Sequence, residues 1–215
     1  MSYDAAYFTA RSAEEDARAA MRAAELERIR AYTRLEAGHV LDVGCGLGEL
    51  LDLFPNTSWQ KYGVEVSESA RAAAGAKGIS FELPDGDGWC DLVVLRGSLQ
   101  HLDRPLETLF AAHGWLRPGG WLVVLATPNA GSLVYRIFQE LPALDPPRNF
   151  VVFSDRILKQ CLVNIGFREP TFEYPYIGTP YARPVQDHAR FLLRLLGIRV
   201  RFAFWRNMME CYAQK

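Results

Sequence analysis

Short, continuously apolar runs recur along the chain at 39–44, 61–66, 78–83, 91–97 and 121–127, and segments of helical spacing separate them. Runs without polar alternation suit strands buried on both faces, and the helical segments between them supply the crossovers that parallel strands require. Helices are predicted over 12–36, 49–54, 67–75, 105–116, 154–165 and 184–197. The first has Ser12 as N-cap and Glu15 three residues later, completing a capping box. Its apolar positions Met21, Leu26, Ile29, Thr33 and Leu35 form only a loose stripe, so one face packs and the charged remainder is solvated. Tyr3, Tyr7 and Phe8 precede it as a candidate flap. Towards the end the pattern loosens. A proline-rich loop spans 141–150, proline interrupts an extended stretch at 166–177, which fits a sheet edge, and 207–215 reads as a last strand.

With 215 residues, 49% of them hydrophobic, one domain with one sizeable core is expected. Twenty-four Lys plus Arg against 25 Asp plus Glu leave a net charge of -1, so no whole-molecule field gathers nucleic acid or an anionic membrane. Cys45, Cys90, Cys161 and Cys211 are far apart and form neither a zinc motif nor a small disulfide framework. No His/Asp cluster has metal-ligand spacing. The first residues lack the order of a signal peptide, and no apolar run approaches the roughly 18 residues that cross a bilayer. A cytoplasmic location is the expectation.

The chemistry concentrates in the first apolar run and the turn after it. Gly44, Gly46 and Gly48 form a G-x-G-x-G turn with Asp42 in the preceding strand and Glu49 just beyond. In an open α/β sheet the ligand lies past the carboxyl ends of the strands, and glycines let it approach the backbone. A pyrophosphate disfavours nearby carboxylates, whereas Asp42 and Glu49 favour positive charge. Glu65 ends the next strand 19 positions after Gly46, where an acid accepts hydrogen bonds from ribose hydroxyls. An adenosine-type ligand with a cationic, amino-acid-like end meets both demands.

VLDVGCGLGELL, YGVEVS, CDLVVLRGSLQHLDRP, WLRPGGWLVVLATPN and FSDRILKQCLVNIGF, in that order, resemble the motifs of class I S-adenosylmethionine-dependent methyltransferases. Within them the chain is most similar to bacterial small-molecule and quinone-type O-methyltransferases. The resemblance implies a Rossmann-like three-layer α/β sandwich, with a mostly parallel seven-stranded sheet ending in an antiparallel hairpin. It implies that Asp42 and the turn of Gly44, Cys45, Gly46 and Gly48 lie against the donor's amino-acid portion, that Glu65 and Val66 meet the ribose side, and that Arg96, Gly97 and Ser98 face donor and acceptor. Between Gly78 and Asp91 the chain is shorter than the family's third strand and loop, leaving Glu82 and Asp85 as candidates for the adenine-side acid. Asn149 stands where a family loop often carries histidine.

Methyl transfer from a sulfonium needs alignment, exclusion of water and, for a hydroxyl acceptor, a base. His39 starts a strand at the wrong sheet edge, His113 lies late in a helix and His188 lies in the tail. His101 follows the fourth strand on the ligand edge and is the candidate base or acceptor-positioning group, against a turn-stabilising role. Cys45 reads as a packing residue, with no activating base nearby. Asn129, Tyr135 and Arg148 are acceptor-site candidates.

Six arginines between Arg183 and Arg206, interleaved with leucines and aromatics, make residues 176–206 either a substrate-covering helical lid or a surface for membrane or RNA. The expected organisation is one methyltransferase domain over 1–215, with 1–36 as a helical cap. The expected activity is methyl transfer from S-adenosylmethionine, leaving S-adenosylhomocysteine, to an oxygen of a small apolar or aromatic metabolite, without nucleic acid. The competing readings are a non-catalytic binding module for the same ligand, a nicotinamide-dependent oxidoreductase, and an RNA methyltransferase using the arginine-rich tail.

Overall fold

A computed structural model describes residues 15–141, 144, 149–179 and 181–215. Ser12, the candidate flap and Arg148 lie outside the described residues. The strands are β1 (Gly38–Val43), β2 (Trp59–Val64), β3 (Cys90–Arg96), β4 (Leu116–Pro128), β5 (Thr171–Glu173) and β6 (Met208–Gln214). They form one sheet in the order β2-β1-β3-β4-β6-β5. The first four are parallel, and β6 runs antiparallel to both β4 and β5.

The helices are α1 (Glu15–Thr33), α2 (Glu68–Gly75), α3 (Pro105–Trp115), α4 (Leu133–Phe138), α5 (Asp155–Ile165) and α6 (Pro184–Leu195). Ser67 and Ser154 cap α2 and α5 by accepting from the amides of Ala70 and Ile157, while Pro105 and Pro184 occupy first turns, where the missing N–H costs nothing. On one sheet face Val93, Leu95, Leu122 and Val124 pack with Leu109 of α3 and Leu158 and Leu162 of α5. On the other, Val40, Leu92, Val94 and Val123 pack with Leu26 and Ile29 of α1 and Ala74 of α2. Alternate residues of each buried strand thus feed two cores, which gives the expected three layers.

Three details differ from the sequence expectation. The described sheet has six strands, because in the 78–83 run only Ser80 pairs, bridging to Tyr62 through Ser80 N–H to Lys61 O and Gly63 N–H to Ser80 O, both 2.9 Å. Beyond it Ser80 Oγ turns to the backbone of Glu82, and Pro84 follows, ending strand geometry. The 49–54 helix is a single 3-10 turn, Leu51–Leu53, since Phe54 is extended ahead of Pro55. α4, for its part, occupies a stretch where the pattern predicts no helix; Ser132 caps it by accepting from Tyr135 N–H.

α1 departs most from an ordinary amphipathic helix. Alongside Leu26 and Ile29 it buries Arg22 and Glu25. Successive turns send Arg22 to Glu49, Glu25 to Arg96, Arg28 to Glu210 and the Tyr32 hydroxyl to Glu173. The gaps in the apolar stripe are therefore filled by ion pairs reaching the glycine turn, β3 and β6 and by a hydrogen bond to β5. Tyr32 also stacks on Tyr212, with ring centroids 4.1 Å apart.

Candidate active site

β1 has β2 on one side and β3 on the other, so the strand order reverses between β1 and β3, the position where open α/β sheets bind ligands beyond the carboxyl ends of their strands. A cavity of about 240 Å³ opens there. Its walls bring together Asp42 of β1 with Gly44, Cys45 and Gly46 from the first turn, Glu65 and Val66 from the second, and Arg96 at the end of β3 with Gly97, Ser98 and His101 after it. Gly48, Glu82, Asn129 and Tyr135 do not line it.

Glycine is required at Gly44 twice over. Its φ is +83°, and a Cβ there would lie 2.6 Å from Ser98 Cβ. Ser98 in turn donates to Val43 O at 2.5 Å, holding the post-β3 loop against the turn. Glu65 fastens the two turns together: Oε2 accepts from Gly46 N–H at 2.9 Å, and Oε1 from the amides of Val66 and Ser67 at 2.8 and 2.9 Å. Those three bonds leave about one acceptor site, on Oε2, for a ribose hydroxyl, since a carboxylate has about four. Val66 stands at the rim with 84% of its surface exposed, an apolar face open to a planar ring.

Asp42 is 2% exposed, and its Oδ1 has no hydrogen-bond partner. Burial pushes its carboxyl up to about 7; Arg96 opposes the rise, and Glu65 and Glu25 add to it. Arg96 is held by Glu25 through Nε–H to Oε2 at 2.6 Å and an Nη2–H to Oε1 at 3.3 Å. Arg22, a cavity residue that sequence reasoning missed, pairs with Glu49 at 3.4 Å. Each arginine of the cavity thus has a glutamate, whereas Asp42 and Glu65 have no cation bonded to them among the described residues. The surplus is negative, which suits a cationic guest. Burial drives the Cys45 thiol well above its ordinary range, with Asp42 and Glu65 adding, so it stays a packing group rather than a nucleophile.

The remaining candidates are elsewhere. Gly48 packs the turn on α2, where a Cβ would lie 2.3 Å from Ile79 Cδ1 and 3.1 Å from Ala74 Cβ. Asn129 is fully buried and uses Oδ1 to accept from Gly131 and Asp155 amides, which pins the chain entering α5. Tyr135 belongs to a separate cluster with Val134, Leu141 and Phe202. Glu82 and Asp85 are exposed. Among the described residues no group of three or more His, Cys, Asp or Glu could hold a metal, and no helix is long and apolar enough to cross a membrane.

Comparison with known proteins gives this geometry its family. The methyltransferase domain profile matches residues 13–169. The chain belongs to this family, the class I S-adenosylmethionine-dependent methyltransferases, and S-adenosylmethionine is its donor. It is 28% identical over 109 residues to the ubiquinone biosynthesis O-methyltransferase of Thiobacillus denitrificans, a match covering 45% of this chain and 47% of that protein. The chain thus spans about half the length of this curated relative. In fold it resembles a SAM-dependent methyltransferase from Archaeoglobus fulgidus, at TM-score 0.65 and 24% identity over 99% of this chain and 100% of that one. It also resembles phosphoethanolamine N-methyltransferase 2 of Haemonchus contortus, at TM-score 0.63 and 16% identity over 88% of this chain and 51% of that one. The family removes the nicotinamide oxidoreductase reading.

Proposed function

We propose that this methyltransferase alkylates an oxygen of a small apolar or aromatic metabolite, with the donor seated in the β1/β3 cavity. The observation that carries the reading is Asp42, a buried carboxyl with an unpartnered oxygen, beside Glu65 in a cavity whose arginines are already paired. Such a site selects a cation that brings its own hydrogen-bond donors. Asp42 suits the ammonium of an amino-acid end, Glu65 suits a ribose hydroxyl, and Val66 suits a face of the adenine.

When bound, the donor supplies an electrophilic methyl group on a sulfonium. The protein's part is alignment and shielding. Gly44 lets the ligand approach the backbone, and the Ser98 bond to Val43 keeps the post-β3 loop against it. His101, at the end of the 3-10 turn Leu99–His101, faces the cavity and takes the proton from the acceptor hydroxyl. In this reading 15–36 cap the pocket and the segment around α6 covers the acceptor. Oxygen is supported by the O-methyltransferase relative.

The test is incubation with methyl-labelled donor and a panel of phenols, catechols, amines and RNA, alongside calorimetry of donor binding. Label recovered as an aryl or alkyl ether is the expected result. Transfer to nitrogen or RNA alone would overturn the oxygen assignment, and tight donor binding without transfer would favour a sensor module.

A further inference from the structure

The stretch joining β5 to β6, residues 174–207, emerges where β6 pairs with Pro128, at the carboxyl edge of the parallel strands. Within it α6 shows an inverted arrangement. Its inner side holds Asp187, which is 1% exposed and accepts from the Tyr176 hydroxyl and the Arg183 amide, both at 2.8 Å, together with Phe191, stacked on Phe204. Arg194 is likewise turned inward, to Glu140 and over the Phe138 ring. Its outer side is aliphatic: Val185, Leu192 and Leu196, seven and four residues apart and so on one face, are 86%, 61% and 77% exposed. Leu195, Ile198 and Trp205 extend the exposed apolar surface. So much aliphatic surface in water on one short segment marks an interaction site rather than ordinary scatter.

Charge identifies the occupant. Between Arg183 and Arg206 the only acid is Asp187, and it is buried and committed inside. The outward charges are therefore all cationic: Arg183, Arg199 and Arg201 are exposed and Arg190 flanks the face. A second copy of the chain meeting this face about a two-fold axis would oppose arginine to arginine. Single-stranded RNA would need exposed rings for stacking, but five of these six exposed apolar residues are aliphatic. Leucines flanked by arginines, with no exposed carboxylate on the 183–206 segment itself, fit the interface of an anionic bilayer, where the leucines enter the acyl boundary and the guanidinium groups reach the headgroups.

We propose that the outer face of α6 and the 196–201 segment after it dock this protein on anionic lipid surfaces. The inference rests on the exposed face alone and stands independently of the acceptor assignment.

The experiment is co-sedimentation of the full chain with vesicles of phosphatidylglycerol and phosphatidylcholine, and with phosphatidylcholine alone. Quenching of Trp205 fluorescence by brominated lipid is read in parallel against a Trp205→Phe control. Expected are pelleting with anionic vesicles only, a severalfold loss of bound protein between low and high salt, and quenching that disappears in the control. Leu192→Glu with Leu196→Glu, and separately Arg199→Glu with Arg201→Glu, should each lower the bound fraction at least tenfold. All four sites are exposed, and unchanged melting temperature verifies that the variants fold. Equal pelleting with and without anionic lipid would overturn the proposal. So would retention of vesicle binding by both folded variants, a dimer dissolved by the leucine changes, or RNA binding that displaces the vesicles.

Discussion

Glu25 of α1 closes a two-pronged ion pair on Arg96 at the end of β3, with Nε–Oε2 at 2.6 Å, and the glutamate is 2% exposed. This contact brings a helix from the start of the chain to the wall of the cavity, one residue from Gly97 and within electrostatic reach of Asp42. Removing one member of a buried pair leaves the other charge stranded, at about 3–5 kcal/mol. Glu25→Gln should therefore lose roughly 3 kcal/mol in urea unfolding. Adding Arg96→Met should recover part of that loss; a double variant as unstable as the sum of the singles would refute the pairing.

Under the proposed function Asp42 should couple donor binding to pH. Its carboxyl is raised to about 7, so below that value it is protonated in the free protein, and a cation must displace the proton to use the charge. Donor affinity should rise as pH increases from 6 to 8, by at most about tenfold per unit for one linked proton. Stability runs the other way. A carboxyl whose folded pKa exceeds its unfolded value adds stability at acid pH, and the gain is lost as pH rises through about 7. Asp42→Asn should flatten both profiles, measured by titration calorimetry and by thermal melting from pH 5 to 8.5.

Glu65 holds three backbone amides and, under the proposed function, also meets the ligand, and substitution can separate the two. Glu65→Ala should weaken donor binding by about 1–3 kcal/mol through lost charge-assisted hydrogen bonds. Three backbone amides would also lose their acceptor, so the loss should come with greater hydrogen exchange at Gly46, Val66 and Ser67. Unaltered affinity would remove Glu65 from the site.

His101→Ala should reduce transfer by about 100-fold or more while donor affinity stays within a few fold, because a general base contributes on the order of 10²–10⁴ in rate. A parallel fall in both quantities would assign the imidazole to holding the turn instead.

The glycine turn and Glu65 were readable in the linear sequence because they are local: one strand, one turn and one acid at a fixed offset define where each points. The parallel sheet was readable for a similar reason, since runs such as 91–97 and 121–127 leave no polar face. Arg22 and Glu25 were not readable. On a helix rich in Arg and Glu they look like solvated residues, and only partners 27 and 71 positions away tie Arg22 to the cavity wall and set Glu25 behind Arg96. Gly48 shows the opposite case: it shares the turn's spacing, but it packs on Ile79 and Ala74 and does not line the cavity. The expected seventh strand was miscounted because its apolar pattern extends further than its pairing, which stops at Ser80.

β5 and β6 are neighbours in the sheet yet are joined by the whole of residues 174–207, so both anchor points of that long excursion sit side by side. Its length and makeup can change without shifting the register of the four parallel strands that carry the cavity. Grafting a foreign segment between Tyr174 and Arg206, whose bonds to Asp155 stay in place, is accordingly the natural way to retarget this scaffold while the cavity beside β1 remains as built.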